Sequence, residues 1–277
     1  MPAQTINSID IRRADGRFET RLDWLESRHS FSFGGHRDPA NTHHGLLLVS
    51  NDDIVAPGMG FQTHPHRDME IVTWVLEGEL EHKDSEGHVG LIYPGLAQRM
   101  SAGTGIRHSE INHSDFKGSE LDSPVHFVQM WVVPDEDRIK PGYSQLDINA
   151  ELDRGGLVAV ASGVHDAAIP IRQAGATLWA ARLQPGERVS LPDAPFVHLY
   201  VARGDVEGEE LGGLSAGDAA RLTSAGVLAA KAGLKARRSW SGRWRARSRP
   251  ERCPPLSLFS GLGAAGPACP GAHHPAC

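Results

Sequence analysis

Apolar residues along residues 1–230 come in short runs, which often alternate with polar residues and are separated by Gly, Pro, Asn and Asp. Alternation with a period of two, bounded by turn-forming residues, is typical of β-strands. The pattern predicts strands at Gly45–Ser50, Glu70–Glu77, Leu80–Lys83, Gly90–Tyr93, His108–Asn112, Val125–Val133, Leu157–Ser162, Thr177–Leu183, Val197–Ala202 and Gly217–Leu222.

Helical patterns are few. We expect short helices at Thr20–Ser27 and Asp147–Arg154, and turns where Asn51-Asp52-Asp53 and Glu77-Gly78 interrupt the apolar runs. A doubly wound α/β fold would need a helical crossover between consecutive strands, and the intervals here are too short to hold one. The sequence therefore predicts an all-β sandwich or barrel.

A weak internal repeat indicates two such units. Pro57-Gly58 leads into strands that end at Glu77-Gly78, and Pro185-Gly186 leads into strands that end at Gly204-Asp205. We therefore expect a duplicated β-barrel. The predicted organisation is a first domain over residues 1–135, a second domain over residues 136–230 and a tail over residues 231–277.

Charge and composition separate the tail from the rest of the chain. Residues 1–230 carry 19 Lys and Arg against 33 Asp and Glu, whereas residues 231–252 carry nine against one. The three cysteines, Cys253, Cys269 and Cys277, also lie in the tail. This composition predicts a disordered or poorly packed segment. Because the change is abrupt, a shifted reading frame near residue 227 explains it as well as a genuine basic tail does.

The composition disfavours several classes of function. Residues 1–230 contain no cysteine and therefore offer no disulfide framework, thiolate metal site or Cys nucleophile. Their acidic balance disfavours binding to nucleic acid. The polar start of the chain and the short apolar runs predict neither a signal peptide nor a membrane span, so we expect a cytoplasmic protein. The sequence also lacks a nucleophile elbow, a P-loop and a dinucleotide-binding fingerprint.

Two closely spaced pairs of side chains indicate a metal site. His64 and His66 form one pair, and His108 and Glu110 form the other. Residues two apart in a strand share one face, so each pair aims both side chains in one direction. If the two strands face each other across a small barrel, four ligands meet at one point. Three imidazoles and a carboxylate suit Fe(II), Mn, Co, Ni, Cu or Zn better than Mg or Ca.

Glu70 is an alternative to Glu110 as the carboxylate ligand. It has the same strand parity as His64 and His66, so the spacing alone leaves both carboxylates open. The other histidines are expected to be structural or solvated, and His82, in a polar and turn-rich segment, is expected to be solvated. His198 has no H-x-H partner, so we expect no metal centre in the second domain.

The motifs resemble those of the cupin superfamily and, more narrowly, of the pirin family, whose bacterial members are described as quercetin 2,3-dioxygenases. The resemblance is dense over about residues 11–135 and looser to about residue 225. The segments that carry it are Arg28-His29-Ser30-Phe31-Ser32-Phe33, His43-His44-Gly45-Leu46, His64-Pro65-His66-Arg67-Asp68-Met69-Glu70, Tyr93-Pro94-Gly95, Met100-Ser101-Ala102-Gly103-Thr104-Gly105-Ile106-Arg107-His108-Ser109-Glu110 and Phe127-Val128-Gln129-Met130-Trp131.

The resemblance implies a bicupin fold, in which two β-barrels follow one another and only the N-terminal one binds metal. It implies His64, His66, His108 and Glu110 as the ligands, which leaves Glu70 as a strand residue or a residue that orients a ligand. We expect one divalent transition metal ion, with Fe(II) as the first choice and Mn, Co, Ni, Cu or Zn as alternatives.

The resemblance also implies an activity. It is the O₂-dependent opening of the heterocycle of a flavonol such as quercetin, with release of carbon monoxide. Glu110 would then be a candidate base for the flavonol hydroxyl. Two alternatives stay open because fold and metal do not determine function. One is a metal- or redox-sensing regulator that acts through protein partners, and the other is a cupin with another small phenolic substrate.

Overall fold

The computed structural model describes residues 8–113, 123–164, 166–233 and 255–261. Within these ranges the chain is almost entirely β-structure, with one α-helix, α1 (Asn149–Leu152), and one 3-10 turn at Ala14–Gly16. The helix confirms the prediction at Asp147–Arg154. No helix in the described part of the chain is long and apolar enough to cross a membrane.

The first half of the chain forms two antiparallel sheets that face each other. The first large sheet has the order β12-β9-β6-β11-β4-β3-β2, and the first small sheet has the order β5-β10-β7-β8. Their strands are β2 (Phe18–Arg21), β3 (Leu25–His29), β4 (Leu47–Val55), β5 (Gly60–His66), β6 (Glu70–Glu77), β7 (Leu80–Asp84), β8 (Val89–Ile92), β9 (Leu96–Ser101), β10 (Ile106–Asn112), β11 (Val125–Val132) and β12 (Gly142–Asp147).

The second half repeats this arrangement, apart from one parallel pair at the edge of its large sheet. The second large sheet has the order β1-β20-β17-β22-β15-β13-β14, and the second small sheet has the order β16-β21-β18-β19. The all-β bicupin prediction is confirmed. The strands are β1 (Ser8–Arg12), β13 (Val158–Ser162), β14 (Ile169–Pro170), β15 (Ala176–Arg182), β16 (Arg188–Ser190), β17 (Phe196–Val201), β18 (Asp205–Gly208), β19 (Gly212–Ser215), β20 (Ala219–Thr223), β21 (Ala229–Ala232) and β22 (Pro255–Gly261).

The two halves exchange strands. β1 pairs with β20 in the second large sheet, although it precedes all strands of the first half. β12 pairs with β9 in the first large sheet, although it follows the predicted boundary at residue 135. Sheet membership and chain order therefore differ at both ends of the first unit, and the division at residue 135 stays a prediction.

Within the described residues, the predicted tail contributes the last two residues of β21 and the whole of β22. β22 lies between β15 and β17 and pairs antiparallel with both. Most of the tail, residues 234–254 and 262–277, lies outside the described residues. The predictions of disorder and of a shifted reading frame therefore stay predictions.

Two local predictions from the sequence are wrong. The segment Thr20–Ser27 forms part of the antiparallel pair β2–β3 and not a helix, because β3 pairs in turn with β4. The segment Asn51-Asp52-Asp53 lies buried inside β4 and not in a turn. Asn51 is held across the sheet by a 2.9 Å hydrogen bond between its Oδ1 and His29 Nδ1.

The largest apolar cluster lies between the two large sheets. Val72, Trp74 and Leu76 of β6 and Val128 and Met130 of β11 contribute from one side. The residues that meet them from the other side include Val160, Ala161, Ile169, Leu178, Ala180 and Tyr200. Burying a large apolar side chain contributes about 1.5–3 kcal/mol, so this contact contributes strongly to the stability of the pair of barrels. Two smaller apolar clusters fill the first barrel and one fills the second.

A buried carboxylate connects the two large sheets. Asp52 of β4 accepts a hydrogen bond from the Tyr200 hydroxyl of β17 and lies 2.6 Å from His126 Nε2. Arg17 Nη1 lies 3.9 Å from the same carboxylate. Burial alone would raise the pKa of Asp52, but the charge and hydrogen bond of His126, together with Arg17 and Tyr200, hold that pKa well below its usual range.

The Asp52 contacts predict a pH-dependent stability. A carboxyl with a lowered folded pKa stabilises the fold above its ordinary value of about 4 and loses that contribution as the pH falls further. We expect Asp52→Asn to lower the free energy of unfolding by about 1–3 kcal/mol at pH 7. The difference from the wild type should shrink as the pH is lowered below about 4, in urea denaturation followed at a series of pH values.

The exposed Asp23 gives a matched control, and Asp23→Asn should leave the free energy of unfolding unchanged. A difference between Asp52→Asn and the wild type that stays constant down to acid pH would contradict the linkage.

Candidate metal centre

The two predicted metal-binding pairs lie on neighbouring strands of the first small sheet. β5 carries His64 and His66, and β10 carries His108 and Glu110. The strands pair antiparallel, with His108 opposite His64 and Ile106 opposite His66. The sequence suggested strands that face each other across a barrel, and the structure instead brings the pairs together side by side. A register shift between His108 and Glu110 marks a β-bulge next to the site.

Three imidazole rings form a nearly equilateral triangle. The ring centroids are 4.8 Å apart for His64 and His66, 4.5 Å for His64 and His108, and 4.9 Å for His66 and His108. One nitrogen of each ring lies within 4.8 Å of a nitrogen of both others. His64 and His66 are partly exposed whereas His108 is buried, so the triangle is reached from the β5 side.

The hydrogen bonds of His64 determine which of its nitrogens is available. His64 Nδ1 lies 2.7 Å from the carbonyl oxygen of Gln62. A carbonyl oxygen only accepts hydrogen bonds, so Nδ1 carries the proton and donates. The neutral ring therefore presents the lone pair of Nε2, which is the state that a metal ligand requires.

A chain of three side chains orients His108 in the same way. His82 Nε2 lies 3.2 Å from Asp84 Oδ2, and His82 Nδ1 lies 3.3 Å from His108 Nδ1. The carboxylate accepts from His82 Nε2, so a neutral His82 accepts at Nδ1 and the proton between the two rings belongs to His108. The lone pair of His108 is then on Nε2.

Burial keeps His108 neutral. Loss of solvent, followed by the neighbouring imidazoles of His64 and His82, lowers the pKa of His108 to about 2. Its Nε2 is buried and has no hydrogen-bond partner among the described residues. A buried polar atom without a partner is destabilising, and a metal ion would satisfy it.

Glu110 is held by donors on the first large sheet. Gln129 Nε2 donates to both of its carboxylate oxygens, at 2.9 and 2.8 Å, and Thr73 Oγ1 donates to one at 3.2 Å. The Gln129 amide is oriented in turn by Trp131, whose Nε1 donates to Gln129 Oε1 at 2.9 Å. These contacts fix the carboxylate beside His108.

The four predicted ligands do not form a single group within 4.8 Å. His64, His66 and His108 form one group, and Glu110 forms a second with His82 and His108. His108 belongs to both, so the two groups meet at its ring.

Glu70 lies in a different environment. It belongs to neither group of potential metal ligands, and its Oε2 accepts a 3.0 Å hydrogen bond from the backbone N–H of Arg172. Arg99 Nε lies 3.9 Å from the same oxygen. Burial raises the pKa of Glu70. The carboxylate therefore belongs to the junction between the large sheets, outside both groups of potential metal ligands.

Several residues of the site were missed from the sequence. His82, which was expected to be solvated, is fully buried, and it lies opposite Glu110 on β7. Its position two residues after the apolar Leu80 was the available signal, because residues two apart share a face. Gln129 and Trp131 gave no such signal, since their role depends on the pairing of β11 with β6.

Asp53, on β4 of the first large sheet, is a further buried ionisable group. Burial raises its pKa to about 7, and the negative charges of Asp52 and Glu110 add to this effect. Nothing in the local sequence distinguished Asp53 from a turn residue.

The donor set fits a divalent transition metal. Two of the three rings of the triangle, those of His64 and His108, present an Nε2 lone pair, and the Nε2 of His108 is buried with no partner among the described residues. The hydrogen-bonded carboxylate of Glu110 lies beside His108. Imidazole and carboxylate ligands suit Fe, Mn, Co, Ni, Cu and Zn, whereas Mg and Ca prefer oxygen alone.

Comparison with known proteins places this site in a family. The sequence matches the Pirin family model over residues 11–132. A Mycobacterium tuberculosis protein named "Putative quercetin 2,3-dioxygenase" is 59% identical over 220 residues, which cover 79% of this chain and 88% of that protein. An Escherichia coli protein named quercetin 2,3-dioxygenase is 41% identical over 165 residues, which cover 60% of this chain and 68% of that protein.

Solved structures agree with the sequence comparisons. The bacterial pirin YhhW from Escherichia coli, determined in complex with nickel(II), superposes with a TM-score of 0.75 at 31% identity. The superposition covers 92% of this chain and 99% of that one. On the family match, the extent of these relatives and the shared fold, the chain belongs to the pirin family.

Proposed function

We propose that the first barrel binds one divalent transition metal ion through His64, His66, His108 and Glu110. The observation that carries this proposal is the imidazole triangle, in which the buried Nε2 of His108 has no other partner among the described residues. The nickel(II) bound by the Escherichia coli pirin supports a divalent ion. Fe(II) stays our first choice, with Mn, Co, Ni, Cu and Zn as alternatives.

His82 and Asp84 act as positioning residues in this proposal. Metal-binding histidines commonly donate their second N–H to an acceptor that fixes the ring. Here His108 donates to His82, which donates to Asp84, and Asp84 is further fixed by the backbone N–H groups of Glu86 and His88 at 3.0 Å each. The chain of hydrogen bonds holds the lone pair of His108 in one direction.

We further propose that the metal-loaded protein is a dioxygenase that opens the heterocycle of flavonols such as quercetin with O₂ and releases carbon monoxide. The names of the mycobacterial and Escherichia coli relatives support this substrate class. When bound, the metal ion would supply Lewis-acid activation of the flavonol and bring it together with O₂.

The residues of the chain have separate tasks in this reaction. His64 and His66, which are partly exposed, lie where a planar substrate can approach from solvent. Trp131 packs edge-on against His66, with the two ring centroids 4.9 Å apart, and limits the movement of the His66 ring. Glu110 is the candidate base for the 3-hydroxyl proton of the flavonol. Gln129 and Thr73 keep its carboxylate oriented toward the interior.

Metal binding is tested by removing the ring that both groups share. His108→Ala should abolish metal binding, because it removes the buried lone pair around which the other ligands are arranged. The metal content of purified protein, measured by mass spectrometry after loading and desalting, checks this. His43→Ala, at an exposed histidine outside the site, is the matched control and should bind as much metal as the wild type. Undiminished metal in His108→Ala would overturn the assignment.

The positioning role predicts a smaller effect. Asp84→Asn should weaken metal affinity roughly 10- to 100-fold without changing the number of ions bound, because outer partners tune and orient a ligand without replacing it. Competition with a chelator of known affinity measures the change, and Asp23→Asn provides an exposed control. Equal affinities in the two variants would show that the Asp84–His82 chain does not act on the metal.

The activity is tested by adding quercetin anaerobically to protein loaded separately with each candidate metal, and then admitting O₂. We expect loss of the flavonol absorbance with release of carbon monoxide in step with O₂ consumption. His108→Ala should be inactive, and Glu70→Gln should retain turnover if it stays folded, since Glu70 lies outside the site.

Absence of both quercetin loss and carbon monoxide with all six metals would contradict the dioxygenase proposal. Retained metal binding in that case would favour the regulatory or other-substrate alternatives.

A further inference from the structure

A cavity lies away from the metal centre, where the second large sheet meets the loop after β3. Its volume is about 220 Å³. Arg17, His29, Ser30 and Asn41 line it from the N-terminal part of the chain, and His198 and Arg221 line it from β17 and β20. None of the proposed metal ligands is among its lining residues, so the cavity is independent of the proposed reaction site.

Four arginines and one carboxylate, that of Asp38, line the cavity, and one of the positive charges has no ion-pair partner among the described residues. Arg12 pairs with Asp10 at 2.8 Å, Arg13 pairs with Asp218 at 2.7 Å, and Arg17 lies 3.9 Å from Asp52.

Arg221 is 6% exposed and has no carboxylate within 4.0 Å among the described residues. Asp10 lies opposite Arg221 on β1, but its carboxylate pairs with Arg12. The Arg221 guanidinium donates to the carbonyl of Ser30 at 2.6 Å. The guanidinium carbon also lies over the Phe31 ring, 4.5 Å from the ring centroid. A buried cation without a counter-ion is destabilising, so a partner anion is expected.

Four buried polar atoms of the lining residues have no hydrogen-bond partner among the described residues. Three belong to groups that can donate: Arg17 Nε, Arg221 Nε and His198 Nε2. The fourth is an acceptor, Asn41 Oδ1, and the Nδ2 group of the same amide donates to the carbonyl of Ser30 at 3.3 Å. Buried polar groups are nearly always satisfied, so four such atoms around one cavity indicate a missing ligand.

Burial also determines the state of His198. Loss of solvent, followed by the charge of Arg221, lowers the pKa of His198 well below its usual range, so the ring is neutral. A neutral ring offers one N–H and adds no further positive charge beside Arg221. Burial and the charge of Arg12 likewise lower the pKa of Arg221 to about 10, and it remains charged at neutral pH.

We propose that this cavity binds a small oxyanion that also carries a hydroxyl group, with Arg221 as its counter-charge. The oxyanion would accept from Arg221 and from the other unpartnered donors, and the hydroxyl would donate to Asn41 Oδ1. Guanidinium groups are well suited to such ligands because they donate to carboxylates and phosphates through parallel N–H groups. Hydroxycarboxylates and hydrogen phosphate share this chemistry.

The size of the cavity supports a small ligand. Its volume corresponds to about seven water molecules at their share of liquid volume. Drug-sized molecules occupy pockets of roughly 300–1,000 Å³, so this cavity is too small to hold a flavonol. Because the lining residues come from residues 11–41 and from β17 and β20, the bound anion would connect the N-terminal segment with these two strands.

The proposal is tested by calorimetric titration of the full chain with phosphate, with lactate and with propionate, at an ionic strength held constant with chloride. Lactate and phosphate should bind saturably, one per chain, and raise the Tm. Propionate has the carboxylate of lactate without its hydroxyl, so it should bind more weakly. Binding of phosphate alone would identify phosphate as the source of the oxyanion, and binding of lactate alone would identify a hydroxycarboxylate.

Two variants locate the site. Arg221→Gln should lower the affinity for phosphate or lactate about tenfold or more, because a charge-assisted contact is lost. Asn41→Asp, at a partly exposed position, places a negative charge against the anion and should weaken binding even if Arg221→Gln does not fold. Arg188→Gln, at an exposed arginine on β16, is the control and should bind normally. Failure of the wild type to bind phosphate and lactate, or unchanged binding in Asn41→Asp, would overturn the proposal.

Discussion

The face-to-face packing of the two large sheets determines which side chains can serve the metal centre. β6 is buried on both faces: Val72, Trp74 and Leu76 point toward the second large sheet, and the residues between them point into the first barrel. Thr73 and, on β11, Gln129 therefore face Glu110. A shift of one residue in either strand would place these polar groups in the apolar contact, so the packing between barrels also holds the register of the site.

Within that frame the candidate metal centre is held from two directions. Gln129 and Thr73 on the large sheet hold the carboxylate, and Asp84 acts through His82 on the small sheet to hold the imidazole of His108. Preorganisation of this kind lowers the cost of arranging ligands when an ion binds, because the side chains have already lost their rotational freedom. The β-bulge beside Ser109 is a local irregularity of the kind that is common next to functional sites.

The sequence predicted what depends on neighbours in the chain. The bounds of Glu70–Glu77 agree with β6, and the H-x-H and H-x-E pairs were recognisable because residues two apart share a face. What depends on strand pairing was out of reach: His82 reaches the site through the register of β7 with β10. The helix expected at Thr20–Ser27 failed for the same reason, since pairing of β3 with β4 overrides local preference.

The place of β1 in the second large sheet has a consequence for how the chain folds. Ser8 pairs with Thr223, so β1 cannot form these hydrogen bonds until β20, far later in the chain, has been synthesised. Contacts between such distant segments require a large loop to close and are slow to form. The pairing of β1 with β20 at the edge of the second large sheet is therefore completed late, and until then the hydrogen-bonding groups of the β20 edge stay open.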